Sequence, residues 1–353
     1  MTLTTMRSHV RTLVVLALAV ALLALFLRHV DLSRVAVDIV HARPEWLALS
    51  LASAFVNLSI RSLRWQYLLE PLAPTTFANS FRATAVGFAA SSVLPARAGE
   101  VIRPYFLARQ ARRQQDDRMT ATGAFATIIL ERLIDLVAVV ALLASYVFVF
   151  GRDLGRTHPI GFAIVAWAGA TAAAGTIAAL VTLFVLAGDP ARPARMMARL
   201  EQVVPSALAG VVVKVAEKFT RGLAAVRHPS RLLVSLLWSF PLWLSIAFGI
   251  WAVAVAFDLG IPFTGSFLII ALLVLGVAVP TPGAAGGFHA AFRYGATAFF
   301  ASRDDAVVGA AIVAHLFSVG PSLLLGLLFA AQAGLDMEGM RRLARQAEQG
   351  HTA

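Results

Sequence analysis

The feature that most constrains this fold is an apolar run that is too short to cross a membrane. Residues 83–94 are apolar or small, and a break containing Pro95 and Gly99 follows them. A helix needs about 20 residues to cross a bilayer, so a run of 12 residues predicts a re-entrant segment that turns at the break. Irregular backbone at that depth is tolerated only inside protein or beside a water-filled cavity. The sequence therefore predicts that the Arg-x-Gly-Glu stretch at this break, Arg97 to Glu100, lines a cavity.

The remaining composition is that of an integral membrane protein. The chain has 353 residues, of which 59% are hydrophobic and only 14% are charged, whereas soluble domains carry about 25% charged residues. It contains no cysteine, which excludes disulfides, thiolate metal sites and cysteine nucleophiles. The formal net charge is +11, but the basic residues lie between apolar segments, as the positive-inside rule predicts. We therefore expect no nucleic-acid partner.

The pattern of apolar runs predicts an all-α polytopic membrane protein with about six full spans and two re-entrant broken helical segments. The predicted spans are residues 13–27, 44–67, 120–150, 160–187, 232–257 and 306–331. The re-entrant segments are residues 82–113 and 263–300, and the second breaks at a Pro/Gly-rich stretch, residues 280–287. Residues 189–231 alternate apolar and basic positions with helical spacing, which predicts a cytoplasmic amphipathic connection. Residues 336–353 form a basic tail.

The distribution of basic residues predicts the orientation of these segments. Both termini are expected in the cytoplasm, because every strongly basic connection then lies on that side. Residues 1–155 and residues 156–335 each contain two spans, a broken segment and a final span, in opposite orientations. Gly/Pro-interrupted segments at matching positions of two inverted halves are typical of a transporter with its site near the midplane.

Charged residues surround the first break. Arg97, Glu100 and Arg103 flank it, and an arginine inside the bilayer must be paired or hydrated. The planar fork of Arg97 suits a phosphate, and Gly99 lets the backbone approach a ligand closely. The alternative is an ordinary interfacial cluster of the positive-inside kind.

Two further charged pairs lie on predicted spans. Arg61 and Arg64 are three residues apart, and Glu131 and Asp135 are four apart, so each pair shares a helix face. The two carboxylates are expected to face the cavity, where they could pair with Arg97 or Arg103 or carry a proton. A structural ion-pair network that locks the broken segment to its neighbour is an equally open interpretation.

The second break carries no charge. Its Pro282, Gly283, Gly286 and Gly287 allow close packing or close approach of the backbone to a ligand. His289 and Arg293 follow on one face of the next helical stretch and could meet a lipid headgroup from the outer side. A histidine in a membrane helix is otherwise a hydrogen-bonded packing residue.

These motifs together resemble a known family. The stretches RSLRWQYLL, LPARAGEVIRPYFL, ERLIDL and PTPGAAGG are similar to successive motifs of the lysylphosphatidylglycerol synthase transmembrane domain, or flippase-like, family. The resemblance implies a membrane domain with two re-entrant segments that holds or moves a lipid. It also implies a role for Arg97, Glu100, Arg103, Glu131, Arg132 and Asp135. No globular stretch follows Gln332, so we expect no aminoacyl transfer to lipid.

The function expected from this sequence is that of a flippase-like transporter in the bacterial or archaeal cytoplasmic membrane. Its substrate would be an anionic phospholipid or a lipid-linked envelope precursor. No protease, hydrolase or ATP-binding motif is found, so we expect neither an enzyme nor a cofactor. The alternative is a membrane enzyme or accessory subunit that acts on a lipid phosphate or polyprenyl phosphate. Envelope-lipid synthesis enzymes and further copies of the chain are conceivable partners.

Overall fold

A computed structural model describes residues 32–94, 98–150, 159–188, 229–278, 284–300 and 302–334, and the regular structure in these ranges is entirely helical. The helices are α1 Leu32–His41, α2 Pro44–Leu69, α3 Phe77–Val93, α4 Gly99–Arg113, α5 Ala121–Ser145, α6 Pro159–Gly188, α7 Pro229–Ala256, α8 Gly265–Ala278, α9 Ala285–Phe300 and α10 Asp304–Gln332. A π-helical turn, Tyr146–Phe150, extends α5. Within the described ranges, five helices are long and apolar enough to cross a membrane, namely α2, α5, α6, α7 and α10. The predicted all-α polytopic class is confirmed.

Some predicted segments lie outside the described residues or differ in their bounds. The first span, residues 13–27, the tail 336–353 and most of the connection 189–231 are outside. The mixed-charge stretch before α2 contains a helix, α1, which packs against α10. The first broken segment begins at Phe77, five residues before its predicted start, because Thr76 caps α3 by accepting a hydrogen bond from the Asn79 amide at 3.2 Å.

The two broken segments fold as helical hairpins, α3–α4 and α8–α9. A Cβ atom placed on Gly99 would lie 1.8 Å from the carbonyl oxygen of Gly87. In the second hairpin, a Cβ atom on Gly287 would lie 1.9 Å from the carbonyl oxygen of Gly276. Each hairpin thus brings two glycine backbones into direct contact near its break, and no larger residue fits there.

Ion pairs at both ends of the bundle show that α2 and α7 are antiparallel. At one end, Arg231 Nη1 lies 2.7 Å from Glu70 Oε2, which joins the start of α7 to the end of α2. At the other end, Arg43 Nη2 lies 3.5 Å from Asp258 Oδ1. We call the first the basic end, after Arg82, Arg109, Arg112, Arg113, Arg118 and Arg231. We call the second the acidic end, after Asp38, Glu45, Asp258, Asp304 and Asp305.

The two halves pack in corresponding ways. Here α2 corresponds to α7, the α3–α4 hairpin to the α8–α9 hairpin, and α5 to α10. The α3–α4 hairpin packs against α5 of its own half and α10 of the other, while the α8–α9 hairpin packs against α10 and α5. The helix α2 packs against its counterpart α7. The open end, or base, of the first hairpin, where α3 begins and α4 ends, lies at the basic end. The open end of the second hairpin lies at the acidic end, where Ser302 Oγ, just after α9, donates to the Leu259 carbonyl, just before α8, at 2.8 Å. This geometry agrees with the prediction of inverted halves, which stays a prediction.

Candidate functional site

A cavity of about 340 Å³ lies between α2, α7, α10 and the two hairpins. Ser91, Ser92 and Leu94 of the first hairpin line it, and Ala284 and Phe288 of the second hairpin line it as well. The residues that flank the two Pro/Gly breaks therefore line one cavity, although the breaks are almost 200 residues apart in the chain. A cavity is therefore present beside the first break, but Gly99 and Glu100, which were predicted to line it, are not among its lining residues.

The lining of this cavity combines apolar walls with uncharged polar groups. The polar groups include Ser50, Ser53, Asn57, Ser245, Ser318 and Ser322. Those on α2 recur every three or four residues and share one face. Asn57 Nδ2 donates to the Leu242 carbonyl at 3.0 Å and to Ser245 Oγ at 3.1 Å, which fixes the amide between α2 and α7. These residues offer hydrogen-bonding groups to a ligand without adding charge.

Five buried charged side chains, which we call the arginine–carboxylate cluster, adjoin the cavity. They are Arg61 and Arg64 of α2, Arg103 of α4, and Glu131 and Asp135 of α5. Arg64 lies at the centre, with Nη2 2.9 Å from Glu131 Oε1 and Nη1 2.5 Å from Asp135 Oδ1. Arg103 Nη1 is 3.0 Å from Glu131 Oε2, and Arg61 Nη1 is 3.3 Å from Asp135 Oδ2. None of the five side chains is more than 6% exposed.

Neighbouring side chains hold the cluster in place. Trp243 Nε1 donates to Asp135 Oδ1 at 3.1 Å, and Arg64 also donates to Ser239 Oγ. The Arg103 guanidinium lies 3.8 Å from the centre of the Trp65 ring, a cation–π contact. Helices α2, α4, α5 and α7 therefore all contribute to one rigid polar network inside an apolar bundle.

The cluster carries one more positive than negative charge. Three arginines face two carboxylates, and the adjacent pair of Arg132 and Glu100, whose Nε and Oε1 atoms are 3.4 Å apart, adds no net charge. Arg61 is the member that lines the cavity. Its Nε atom has no hydrogen-bond partner in the part of the chain that the structure describes. An uncompensated buried charge is unfavourable by several kcal/mol, so this site favours an anion.

The carboxylates occupy a different position from the one expected. Glu131 and Asp135 share a face of α5, as their spacing predicts, and Glu131 pairs with Arg103 as one interpretation proposed. Both carboxylates also bind Arg61 and Arg64, a contact that the sequence interpretation did not foresee. They are not among the residues that line the cavity. Their observed contacts are those of the structural network.

The remaining candidate residues at the two breaks divide into two groups. Arg97, Pro282 and Gly283 lie outside the described residues, so their predicted roles stay predictions. Gly286 and Gly287 are buried at the start of α9, where Gly287 makes the close backbone contact. The structure thus gives Gly287 a packing role.

His289 and Arg293 follow on α9 but lie apart from the cluster. The ring of His289 is 4.8 Å from that of His315, which lines the cavity. Arg293 Nε donates to Asp304 Oδ1 at 2.7 Å and so ties α9 to the start of α10. Arg293 therefore has an ion-pair partner at the acidic end.

The sequence interpretation missed the uncharged polar residues of the cavity. Ser50, Asn57, Ser318 and Ser322 stand in otherwise apolar helices at helical spacing. Their spacing could have identified them as cavity residues, because polar residues that recur on one face of an apolar helix indicate a face that is turned away from lipid.

The comparisons with known proteins place these features within one family. The family model of the lysylphosphatidylglycerol synthase TM region matches residues 12–326. The match includes both hairpins, the whole arginine–carboxylate cluster and every residue that lines the cavity. A comparison with curated proteins gave no match.

Proposed function

Because this chain belongs to the lysylphosphatidylglycerol synthase TM region family, we propose that it is a translocase for a lipid with an anionic headgroup. Its substrate would be an anionic phospholipid or a lipid-linked envelope precursor, moved across the cytoplasmic membrane. One observation carries this proposal: the cavity shared by the two hairpin breaks is lined by Arg61, a member of a buried cluster with surplus positive charge.

The lining of the cavity matches the two parts of such a lipid. Arg61 can hold a phosphate through charge-assisted hydrogen bonds, and the Ser50 and Asn57 side chains can bind the polar part of a headgroup. Ile246, Ile250 and Val274 form apolar walls that suit the start of the acyl chains. The volume of about 340 Å³ lies within the common range for ligand pockets, about 300–1,000 Å³.

The contacts of the two carboxylates favour transport over catalysis. A general base must reach the proton that it abstracts, whereas Glu131 and Asp135 are each bound by at least two arginines and lie outside the cavity lining. We therefore propose no catalytic residue and no cofactor. A lipid-phosphate enzyme remains the alternative, and a reaction product formed from membrane lipids by the purified protein would establish it. Envelope-lipid enzymes or a second copy as partners remain predictions.

The packing supports a two-sided mechanism in which the basic end faces the cytoplasm. Arginines are concentrated at that end, as the positive-inside rule requires of cytoplasmic connections. The two hairpins have their bases at opposite ends and share one cavity. Rearrangement of one hairpin or the other would open the same site to one side of the membrane or the other.

The orientation can be tested with single cysteines, since the chain contains none. We expect a membrane-impermeant maleimide to label Gln114→Cys, at the basic end, only after the membrane is permeabilised. We expect it to label Asp258→Cys, whose side chain is 88% exposed at the acidic end, in intact cells. Labelling of both residues from the same side would contradict opposite placement of the two ends.

The proposed function is tested by lipid movement in proteoliposomes. Arg61→Gln is expected to slow the flipping of labelled phosphatidylglycerol by about tenfold or more, the effect of losing a charge-assisted hydrogen bond. The variant should still fold, because it leaves two arginines against two carboxylates. Arg43→Gln is the matched control, since it removes an arginine that immediately precedes the same helix and forms an exposed surface pair.

The comparison of two lipids makes this test specific. Labelled phosphatidylcholine, which is zwitterionic, should flip more slowly than phosphatidylglycerol and respond less to Arg61→Gln. Phosphatidylglycerol flipping that is equal in wild type, Arg61→Gln and Arg43→Gln would contradict a headgroup site at Arg61. Size-exclusion chromatography of each variant verifies that it is folded before reconstitution.

A further inference from the structure

A second cavity lies at the basic end, at the base of the α3–α4 hairpin and away from the proposed translocation site. It has a volume of about 160 Å³ and is bounded by α3, α4 and the end of α10. Arg82, Arg109 and Arg113 line it, together with Phe106, Gln110, Phe329, Gln332 and Ala333. It shares no lining residue with the larger cavity.

The charge of this cavity distinguishes it from the rest of the basic end. Three arginines line it, and no carboxylate does. Across the described part of the chain, no carboxylate lies within 4.0 Å of the Arg82, Arg109 or Arg113 guanidinium groups. By contrast, the nearby Arg118 and Arg231 pair with Asp116 at 2.9 Å and Glu70 at 2.7 Å. Three arginines without a carboxylate partner among the described residues thus lie together in a concave site.

The geometry of the three arginines suits a phosphate group. Arg109 and Arg113 are four residues apart on one face of α4. Arg82 approaches from α3, and its guanidinium carbon lies 5.8 Å from the centre of the Phe329 ring, a contact that helps to orient it. Guanidinium forks match phosphate oxygens. Basic pockets between membrane helices at a cytoplasmic surface are typical sites for anionic headgroups.

We propose that this arginine pocket binds a phosphate group, either of an anionic lipid headgroup or of a soluble phosphate compound. Arg82, Arg109 and Arg113 neutralise the anion, while the Gln110 and Gln332 amides can donate further hydrogen bonds. Phe106 and Phe329 provide apolar surface beside it. The proposal concerns binding alone and does not depend on translocation, because the pocket is separate from the cavity at the hairpin breaks.

The test compares two double variants that lose the same charge from the same end. Arg109→Gln/Arg113→Gln removes two pocket residues, and Arg112→Gln/Arg118→Gln removes two arginines outside the pocket lining. Native mass spectrometry of the full chain would measure its affinity for phosphatidylglycerol and phosphatidylcholine. We expect the pocket variant to bind phosphatidylglycerol about tenfold or more weakly, with the control changed less than about twofold and phosphatidylcholine binding unaffected.

A second measurement identifies the source of the phosphate. Inorganic phosphate would be added to detergent-solubilised protein, and the thermal unfolding temperature would be recorded. Stabilisation of wild type and control but not of the pocket variant, with equal phosphatidylglycerol affinities, would show that the ligand is a soluble phosphate. Equal behaviour of the two double variants in both measurements would overturn the proposal. Arg82→Gln, a single change at an exposed position, repeats the comparison if the pocket variant fails to fold.

Discussion

Glu131→Gln is expected to destabilise the protein by about 3–5 kcal/mol, the usual effect of removing one partner from a buried ion pair. The substitution leaves three buried arginines against Asp135 alone, and Arg64 and Arg103 both lose a carboxylate oxygen at about 3 Å. We expect most of the protein to be lost as aggregate. Thermal unfolding followed by size-exclusion chromatography in detergent would measure the effect.

Two variants make this prediction specific to the cluster. Glu100→Gln, which removes a carboxylate 31% exposed and 3.4 Å from Arg132, should change the free energy of unfolding by less than about 1 kcal/mol. Glu131→Gln/Arg103→Gln should be less destabilised than the sum of its single changes, because it removes both members of a pair. A Glu131→Gln variant as stable as Glu100→Gln would show that the cluster does not hold the helices together.

Gly99→Ala is expected to prevent the first hairpin from closing. The added methyl group would lie 1.8 Å from the Gly87 carbonyl oxygen and 2.7 Å from the Ser91 amide nitrogen, and neither backbone atom can rotate away. Gly287→Ala should do the same in the second hairpin, where the nearest atom is the Gly276 carbonyl oxygen at 1.9 Å. Overpacking of this kind costs typically about 1–3 kcal/mol and occasionally more, so both variants should give less folded protein than the wild type.

Gly175→Ala is the matched control for these two glycines. A Cβ atom on Gly175 would meet nothing within 4 Å among the described atoms, and alanine favours a helix by about 0.5–1 kcal/mol over glycine. We therefore expect its thermal unfolding temperature to equal or slightly exceed that of the wild type. If all three alanine variants unfold at the same temperature, close glycine contact is not required in the hairpins.

The sequence predicted the helices well and the site in part, for identifiable reasons. The bounds of α10, and of α5 together with its π-helical turn, were predicted to within two residues, because long apolar runs between polar connections have few other structures available in a membrane. The spacing of Glu131 and Asp135 correctly put them on one face. Their partners on α2 could not be predicted, because helical spacing specifies a face but not which distant helix packs against it.

The cavity illustrates the same division between local and long-range information. Its place beside the first break followed from the short apolar run and the bilayer thickness. Its polar residues on α2 and α10 were overlooked because single serines are common in membrane helices. The surplus charge at Arg61 became visible only when three arginines and two carboxylates from three helices were brought together.

The exchange of packing partners between the halves has a consequence for how the protein is made. The first hairpin packs against α10, and Gly326 of α10 lies so close to α3 that a Cβ atom there would be 2.2 Å from the Ala85 carbonyl oxygen. On the ribosome, α10 is the last described helix to be synthesised. The first hairpin must therefore remain in the membrane without its main neighbour until α10 has been synthesised. The packing of the first hairpin is therefore completed only after the helices of the second half have been made.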